Sequence, residues 1–207
     1  QLVFVPKARR DAALQEEFQH AQAEGQAPYL IPYGGSNALG AQGYAQAMRE
    51  LAEQKSEPDW IVFASSSGGT QAGLVLGGKQ MGFRGRILGI SVDEPAQTLQ
   101  QRVAALVEQA AALTGEKLAI APEEILVNDS YCAAGYGVLQ PTEIEAIRSF
   151  ARADGILLDP VYTGRAAAGL IDLIRTGFFR RDETVLFWHT GGTPALFAEP
   201  YAGLLGA

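Results

Sequence analysis

The chain has 207 residues, 47% of them hydrophobic and 19% charged, and a formal net charge of −7. That is enough for one α/β domain or one and a half small ones, and the acidic balance argues against a nucleic-acid or anionic-membrane surface. Cys132 is the single cysteine, so no internal disulfide forms and a reducing cytoplasm is expected; with only His20 and His189 beside it, no metal-ligand cluster is expected.

Leu2-Val3-Phe4-Val5 reads as a strand. Because the chain opens on Gln1 and goes directly into that run, it is expected to start inside a fold, without a signal peptide. Residues 11–24 read as a helix with Leu14, Phe18 and Ala21 on one face, stopped by Gly25. Tyr29-Leu30-Ile31 reads as a second short strand. The breaker cluster Pro32-Tyr33-Gly34-Gly35-Ser36-Asn37 is the candidate domain boundary. A helix over 38–54 follows, with Ala41, Tyr44, Met48 and Leu51 on one face and Asn37 as its cap.

Next come a strand over 60–64 and a helix over 71–82, in which Gly69, Gly73 and Gly77 recur every four residues. That stripe suits a helix lying tight on a sheet. Ile87 to Val92 reads as a strand buried on both faces. Leu99, Val103, Leu106, Ala110 and Leu113 mark a helix, and residues 125–127 a short strand. Thr142 with Glu145 has the capping-box pattern, opening a helix that ends near Gly155. Ile156-Leu157-Leu158 reads as a strand, residues 167–177 as a helix, and Val185 to Trp188 as the last strand. No apolar run reaches the ~18 residues that a membrane span needs, so a water-soluble protein is expected. Strands alternating with helices predict an α/β fold: a parallel sheet with helices on both faces.

The loop between the strand at 60–64 and the following helix is built from Ser66, Ser67, Gly68, Gly69 and Thr70. Glycines let backbone N–H groups converge on one point, and hydroxyls add donors. The first turn of the helix leaves its N–H groups unpaired and partially positive. The loop therefore reads as an anion cradle, most simply for a phosphate, or else as an ordinary strand-to-helix turn. It is neither a Walker loop nor a Gly-x-Gly-x-x-Gly fingerprint. Two further strands end in unusual loops, Asp159-Pro160-Val161-Tyr162-Thr163-Gly164 and His189-Thr190-Gly191-Gly192. In open α/β sheets ligands bind beyond the carboxyl ends of strands, so the three loops are expected to meet at one site.

Taken in order, the segments 32–44, 66–73, Ala134-Gly135-Tyr136-Gly137, 159–164 and 189–192 resemble the D-cysteine desulfhydrase and 1-aminocyclopropane-1-carboxylate deaminase family of pyridoxal-phosphate enzymes. The resemblance covers the whole chain. It implies a tryptophan-synthase-β-like fold (fold type II), incomplete here. Residues 1–37 would be a remnant of the smaller domain and 38–207 the larger cofactor-binding domain without its N-terminal part. It also implies that Ser66, Ser67, Gly68, Gly69 and Thr70 hold the phosphate of pyridoxal 5'-phosphate. Tyr136 and Tyr162 would be active-site tyrosines, Thr163 would face the pyridine nitrogen, and Thr190 would lie on the substrate side.

Deaminases of this family carry Glu at the position of Thr163 and Leu at that of Thr190, whereas desulfhydrases carry hydroxyl residues. The resemblance therefore implies a homodimeric cytoplasmic lyase acting on a small D-amino acid: D-cysteine to pyruvate, sulfide and ammonia. The related deaminase is the alternative. The family's Schiff-base lysine has no counterpart among Lys7, Lys55, Lys79 and Lys117, which read as surface lysines. The chain by itself is thus expected to be inactive, and a non-catalytic phosphate- or cofactor-binding module is the reading from another class.

Other readings compete for several of these residues. Tyr136 and Tyr162 could be packed tyrosines with satisfied hydroxyls. His189 reads better as a structural histidine, Cys132 as an inert small residue, and Asp93 and Glu94 as a solvated turn.

Overall fold

Residues 2–205 are described by the computed structural model, whose contacts separate a first unit, Gln1–Gly35, from a second, Ser36–Ala207. The division falls two residues before the boundary read from the breaker cluster. In the first unit, helix α1 (Arg10–Ala23) buries Ala13, and the Arg10 guanidinium stacks 3.9 Å above the Tyr33 ring. Residues 2–5 and 29–31 do not form the strands expected of them. β-Branched and aromatic composition favours extended backbone, but a strand also needs a ladder partner.

The second unit starts with helix α2 (Ala38–Glu53), where the Asn37 side chain accepts from Gly40 N–H at 2.7 Å, as a cap should. Strand β1 (Trp60–Ser65) leads into helix α3 (Gly69–Met81), then strand β2 (Arg86–Ser91) and helix α4 (Ala96–Leu113). Strand β3 (Leu126–Asn128), helices α5 (Pro141–Asp154) and α6 (Thr163–Arg175) and strand β4 (Val185–Phe187) complete it. The sheet is four-stranded, all parallel, in the order β3-β2-β1-β4, with Ile61 opposite both Ile87 and Leu186.

Alternation along β1 explains why helices cover both faces. Trp60, Val62 and Ala64 join Leu88, Ile90 and the α6 residues Ala166, Leu170 and Leu173 in one cluster. Ile61 and Phe63 point the other way, to Met48 and Leu51 of α2 and Leu74 of α3. On that same side Val103, Val107 and Ala110 of α4 pack with Ala41, Ala72 and Leu76. Helix α5 lies against α6 through Ala146, Ile147, Ala167 and Ala168.

Three details differ from the sequence-based expectation. The capping box of α5 is set at Gln140, whose N–H donates to Glu143, rather than at Thr142. Pro141 takes the first helical position, where its missing N–H costs nothing. Residues 156–158 lie outside the ladder, and Leu157 O is taken by side chains instead: it accepts from Thr193 Oγ1 and contacts His189 Nε2.

The third difference is the glycine stripe, which faces helix α2 and not the sheet. A Cβ on Gly73 would lie 2.2 Å from Ala41 O and 2.5 Å from Tyr44 Cβ, and one on Gly77 would lie 2.6 Å from Ala45 O. The two helix backbones touch where side chains are missing. Among the described residues no helix is long and apolar enough to cross a membrane.

Candidate functional site

The chain reverses its direction of winding at β1: β2 and β3 are added on one side, β4 on the other. Crevices at such a switch, beyond the carboxyl ends of the strands, are where open α/β sheets bind ligands. A cavity of 300 Å³ opens at this point, lined by Ala64–Gly68 and Thr70 after β1, by Tyr44, by Tyr162 and by Thr190, Gly191 and Gly192 after β4. A larger cavity of 440 Å³ lies at the other end of the sheet, among Pro58, Asp59, Arg84 and Arg86, where strands begin and no helix presents its N-terminus.

The cradle is built from the backbone outward. Gly68 caps α3 at φ +91°, a conformation that L side chains rarely adopt, and it turns the chain from strand to helix within three residues. The first intrahelical bond runs from Ala72 N–H to Gly68 O, so the N–H groups of Gly69, Thr70 and Gln71 precede the helical ladder. Gly69 N–H donates to Ser36 Oγ at 3.1 Å, and Ser36 donates in turn to Ser67 Oγ at 2.7 Å. That arrangement fills an acceptor site of Ser67 and leaves its own proton for a ligand. The Ser66 hydroxyl donates to Asp93 at 2.7 Å, so Asp93 is tied to the cradle rather than lying in a solvated turn. Arg102 clamps the same segment by donating to Ser66 O at 2.9 Å. Beneath the loop, fully buried Gln71 accepts from Ser65 Oγ and donates to Leu126 O, stitching β1 to β3.

The loop 159–164 is organised by Asp159. Its buried carboxylate accepts from the N–H groups of Val161, Tyr162 and Thr163 at 2.8, 2.8 and 2.6 Å. It also accepts from the Thr163 hydroxyl at 2.7 Å, while Asp159 N–H donates back to that hydroxyl at 2.8 Å. A carboxylate at the start of α6 satisfies orphan donors and complements the helix dipole. Tyr162 is thereby held in the cavity wall. Thr163 is fully buried, both hydrogen-bonding roles of its hydroxyl lie with Asp159, and it is not among the lining residues.

Tyr136 stands on the loop between β3 and α5, flanked by Gly135 at φ +95° and Gly137 at φ +72°. It is half-exposed and does not line the cavity itself, but its hydroxyl lies 2.7 Å from that of Tyr162, with the rings edge to face. The structure thus gathers Ser66, Ser67, Gly68, Thr70, Tyr162 and Thr190 around one space, with Gly69 outside the lining and Tyr136 in contact with Tyr162. His189 is structural in geometry: Gly191 N–H donates to its Nδ1 at 3.1 Å and its Nε2 faces Leu157 O. Cys132 Sγ contacts Asp129 O at 3.1 Å and has no place at the site.

Sequence reasoning missed Ser36, Tyr44, Asp159 and Arg165. Ser36 and Tyr44 come from α2 and the residues before it, which reach the cradle only because the glycine stripe lets α2 lie on α3. Asp159 had a local signal, an Asp shortly before a helix start. Among the lysines of the second unit, Lys55 and Lys117 are exposed and Lys79 pairs with Glu124 at 3.4 Å; none lines the cavity.

The family profile described as pyridoxal-phosphate dependent enzyme matches residues 1–191. A solved ACC deaminase homologue is 34% identical and superposes with a TM-score of 0.85; the match covers 99% of this chain and 62% of that one. The chain therefore spans about 62% of that relative's length. Two more distant structures share the fold. A fungal L-serine ammonia-lyase from Rhizomucor miehei is 18% identical at TM-score 0.52, over 76% of this chain and 54% of that one. The processed form of threonine deaminase isoform 2 from Solanum lycopersicum is 14% identical at TM-score 0.52, over 91% and 50%.

The donor set fits the phosphate of such a cofactor. The cavity is lined by hydroxyls, glycines and a helix N-terminus, and no Asp or Glu is among the lining residues to repel a dianion.

Proposed function

Because this chain belongs to the family of pyridoxal-phosphate dependent enzymes, we propose that it forms the cofactor-cradling part of a lyase of the D-cysteine desulfhydrase type, converting D-cysteine and water to pyruvate, sulfide and ammonia. When bound, the cofactor supplies an electron sink for charge developing at the substrate Cα. The chain's residues do the rest.

The phosphate is held by the N–H groups opening α3 and by the hydroxyls of Ser67 and Thr70, with Ser66, Gly68 and Gly69 shaping the loop. Tyr162 lines the cavity and its hydroxyl hydrogen-bonds that of Tyr136, so the pair can hold or pass a proton beside the substrate. Tyr136 is 53% exposed and connects that pair to solvent. Gly191 and Gly192 line the cavity beside Thr190, whose hydroxyl offers a hydrogen bond to a polar leaving group such as a thiolate. Thr163 enters as the neutral residue on the ring-nitrogen side. With its hydroxyl committed to Asp159 it brings no carboxylate to that nitrogen, which suits loss of a good leaving group better than opening of a strained ring.

The observation that carries the reading is Thr190 in the wall of the cavity that holds the cradle. Thr190→Leu should lower kcat/KM for D-cysteine about tenfold, the worth of one substrate hydrogen bond, with cofactor affinity unchanged. Steady-state kinetics on D-cysteine and 1-aminocyclopropane-1-carboxylate decide it. Wild-type turnover of the cyclopropane substrate at the higher rate would establish the deaminase instead, a reading favoured by the 34%-identical homologue.

A second experiment addresses the lysines. With pyridoxal phosphate and borohydride, the 207-residue chain should show no stoichiometric labelling of Lys7, Lys55, Lys79 or Lys117, as its surface lysines require. Labelling at a single one of them would identify the missing nucleophile and overturn their assignment to the surface. A native protein that binds the cofactor without any labelled lysine would be the non-catalytic module.

A further inference from the structure

Arg165 is 1% exposed, and its side chain is the largest among the fully buried ones. It sits on the first turn of α6, three residues after Tyr162, and its guanidinium reaches away from that helix in three directions. Nε donates to Glu143 of α5, Nη1 to Val92 O just beyond β2, and both terminal nitrogens hold the Tyr136 loop: Nη1 to Gly135 O at 3.0 Å and Nη2 to Val138 O at 2.9 Å. Glu143 is equally buried and uses its second oxygen on Gln140 N–H, where that loop ends.

A buried ion pair gains little stability over well-packed apolar side chains, because both ions lose their water. What this pair supplies is geometry. The loop from 129 to 140 has no regular secondary structure, and two left-handed glycines flank Tyr136. Within the loop only turn bonds act, such as Gly135 N–H to Cys132 O at 2.9 Å and Val138 N–H to Gly135 O at 3.4 Å around Tyr136, and these do not tie the ring to the rest of the fold. Its carbonyls at 135 and 138 end on Arg165, its carbonyl at 137 accepts from the Tyr201 hydroxyl, and Tyr131 near its start donates to Asp172 of α6. The planar fork of an arginine, with five N–H donors, grips three carbonyls and a carboxylate here, one acceptor more than the three donors of a lysine could serve.

We propose that Arg165 is a positioning residue: it locks the Tyr136 loop to the helix that follows Tyr162, and so sets the hydroxyl–hydroxyl contact between the two tyrosines at the cavity. The inference rests on the proposed role of Tyr162 for its catalytic consequence, but its structural core does not.

The test uses Arg165→Lys in the protein as its natural gene encodes it, beside Tyr136→Phe and the double variant. Hydrogen exchange of the amides at 135–138 should quicken at least about tenfold in Arg165→Lys, while exchange in β1 and β2 and the affinity for pyridoxal phosphate stay within about twofold of wild type. kcat should fall about 100-fold, the effect of a catalytic group displaced by about an ångström, and the double variant should be no slower than the slower single one. Unchanged exchange at 135–138, or effects of the two substitutions that multiply, would overturn the proposal. If Tyr136→Phe is fully active, the proposed tyrosine chemistry fails while the exchange result still judges Arg165. Should Arg165→Lys not fold, Arg165→Gln with Glu143→Gln removes both buried charges together, and the same quickening at 135–138 is required of it.

Discussion

Gly68→Asp should abolish pyridoxal-phosphate binding while the protein stays folded. Gly68 caps α3 at the carboxyl end of β1 and lines the cavity with Ser66, Ser67 and Thr70. An Asp at a helix cap accepts the first-turn N–H groups itself, the donors that a phosphate would use. It also places a carboxylate beside a dianion. Two unit charges 4 Å apart repel by about 4 kcal/mol at an effective dielectric constant of about 20. About 2.7 kcal/mol already weakens binding about 100-fold, so charge alone is sufficient.

Backbone strain adds to this, since φ is +91° and a Cβ would meet Val103 Cγ2 at 3.1 Å. Gly68→Ala separates the two causes: it carries the strain without the charge, and should bind the cofactor more weakly than wild type but measurably. Equilibrium dialysis with pyridoxal phosphate, with circular dichroism as the check on folding, reads both. A folded Gly68→Asp protein with wild-type affinity would show that the loop is an ordinary turn.

The second large effect is on stability. Gly→Ala inside a helix normally stabilises by about 1 kcal/mol, because alanine is the better helix former. Gly73→Ala should do the reverse. Its Cβ would fall 2.2 Å from Ala41 O, a backbone atom that cannot swing aside, and α2 would have to move off α3. Overpacking of this kind costs about 1–3 kcal/mol, which outweighs the propensity gain.

A net loss of about 1 kcal/mol lowers Tm by about 2–4 °C for a protein of this size. The control lies on the partner helix: Gly43 has nothing within 4 Å of its would-be Cβ, so Gly43→Ala should raise Tm by a few degrees. Thermal melts of the two variants should move in opposite directions; if both rise, the stripe is not a close helix contact. Tyr44, which touches the Gly73 position, also lines the cavity. Gly73→Ala should therefore weaken cofactor binding as well, a coupling that Gly43→Ala lacks.

Much of the site was legible because its signals are local. A Ser/Gly/Thr loop between an apolar run and a helical pattern specifies a strand, a tight turn and an unsatisfied helix N-terminus, whatever the rest of the chain does. The ends of parallel strands share one edge, so the loops at 66–70 and 189–192, which follow β1 and β4, had to lie near one another, whereas 159–164 follows no ladder strand. The same reasoning did not foresee that both hydrogen-bonding roles of the Thr163 hydroxyl would lie with Asp159. Its residue type is compatible with several partners, and only the path of the turn chooses between them.

By itself the amino-acid sequence determined the order of the helices and of the four paired strands, the parallel sheet, the strand-loop-helix turn at 66–70 and the cap at Asn37. These follow from periodicity and from the backbone freedom or donors of single residues, which act over three or four positions. Tertiary structure decided the rest. It turned the glycine stripe toward α2 rather than the sheet, brought Ser36 to Ser67, carried Arg165 to the carbonyls around Tyr136, and left residues 2–5 and 156–158 without ladders. Each of these depends on which surfaces meet across long stretches of chain. A stripe of small residues or a run of β-branched ones accepts several partners equally well, and packing of the whole core selects one.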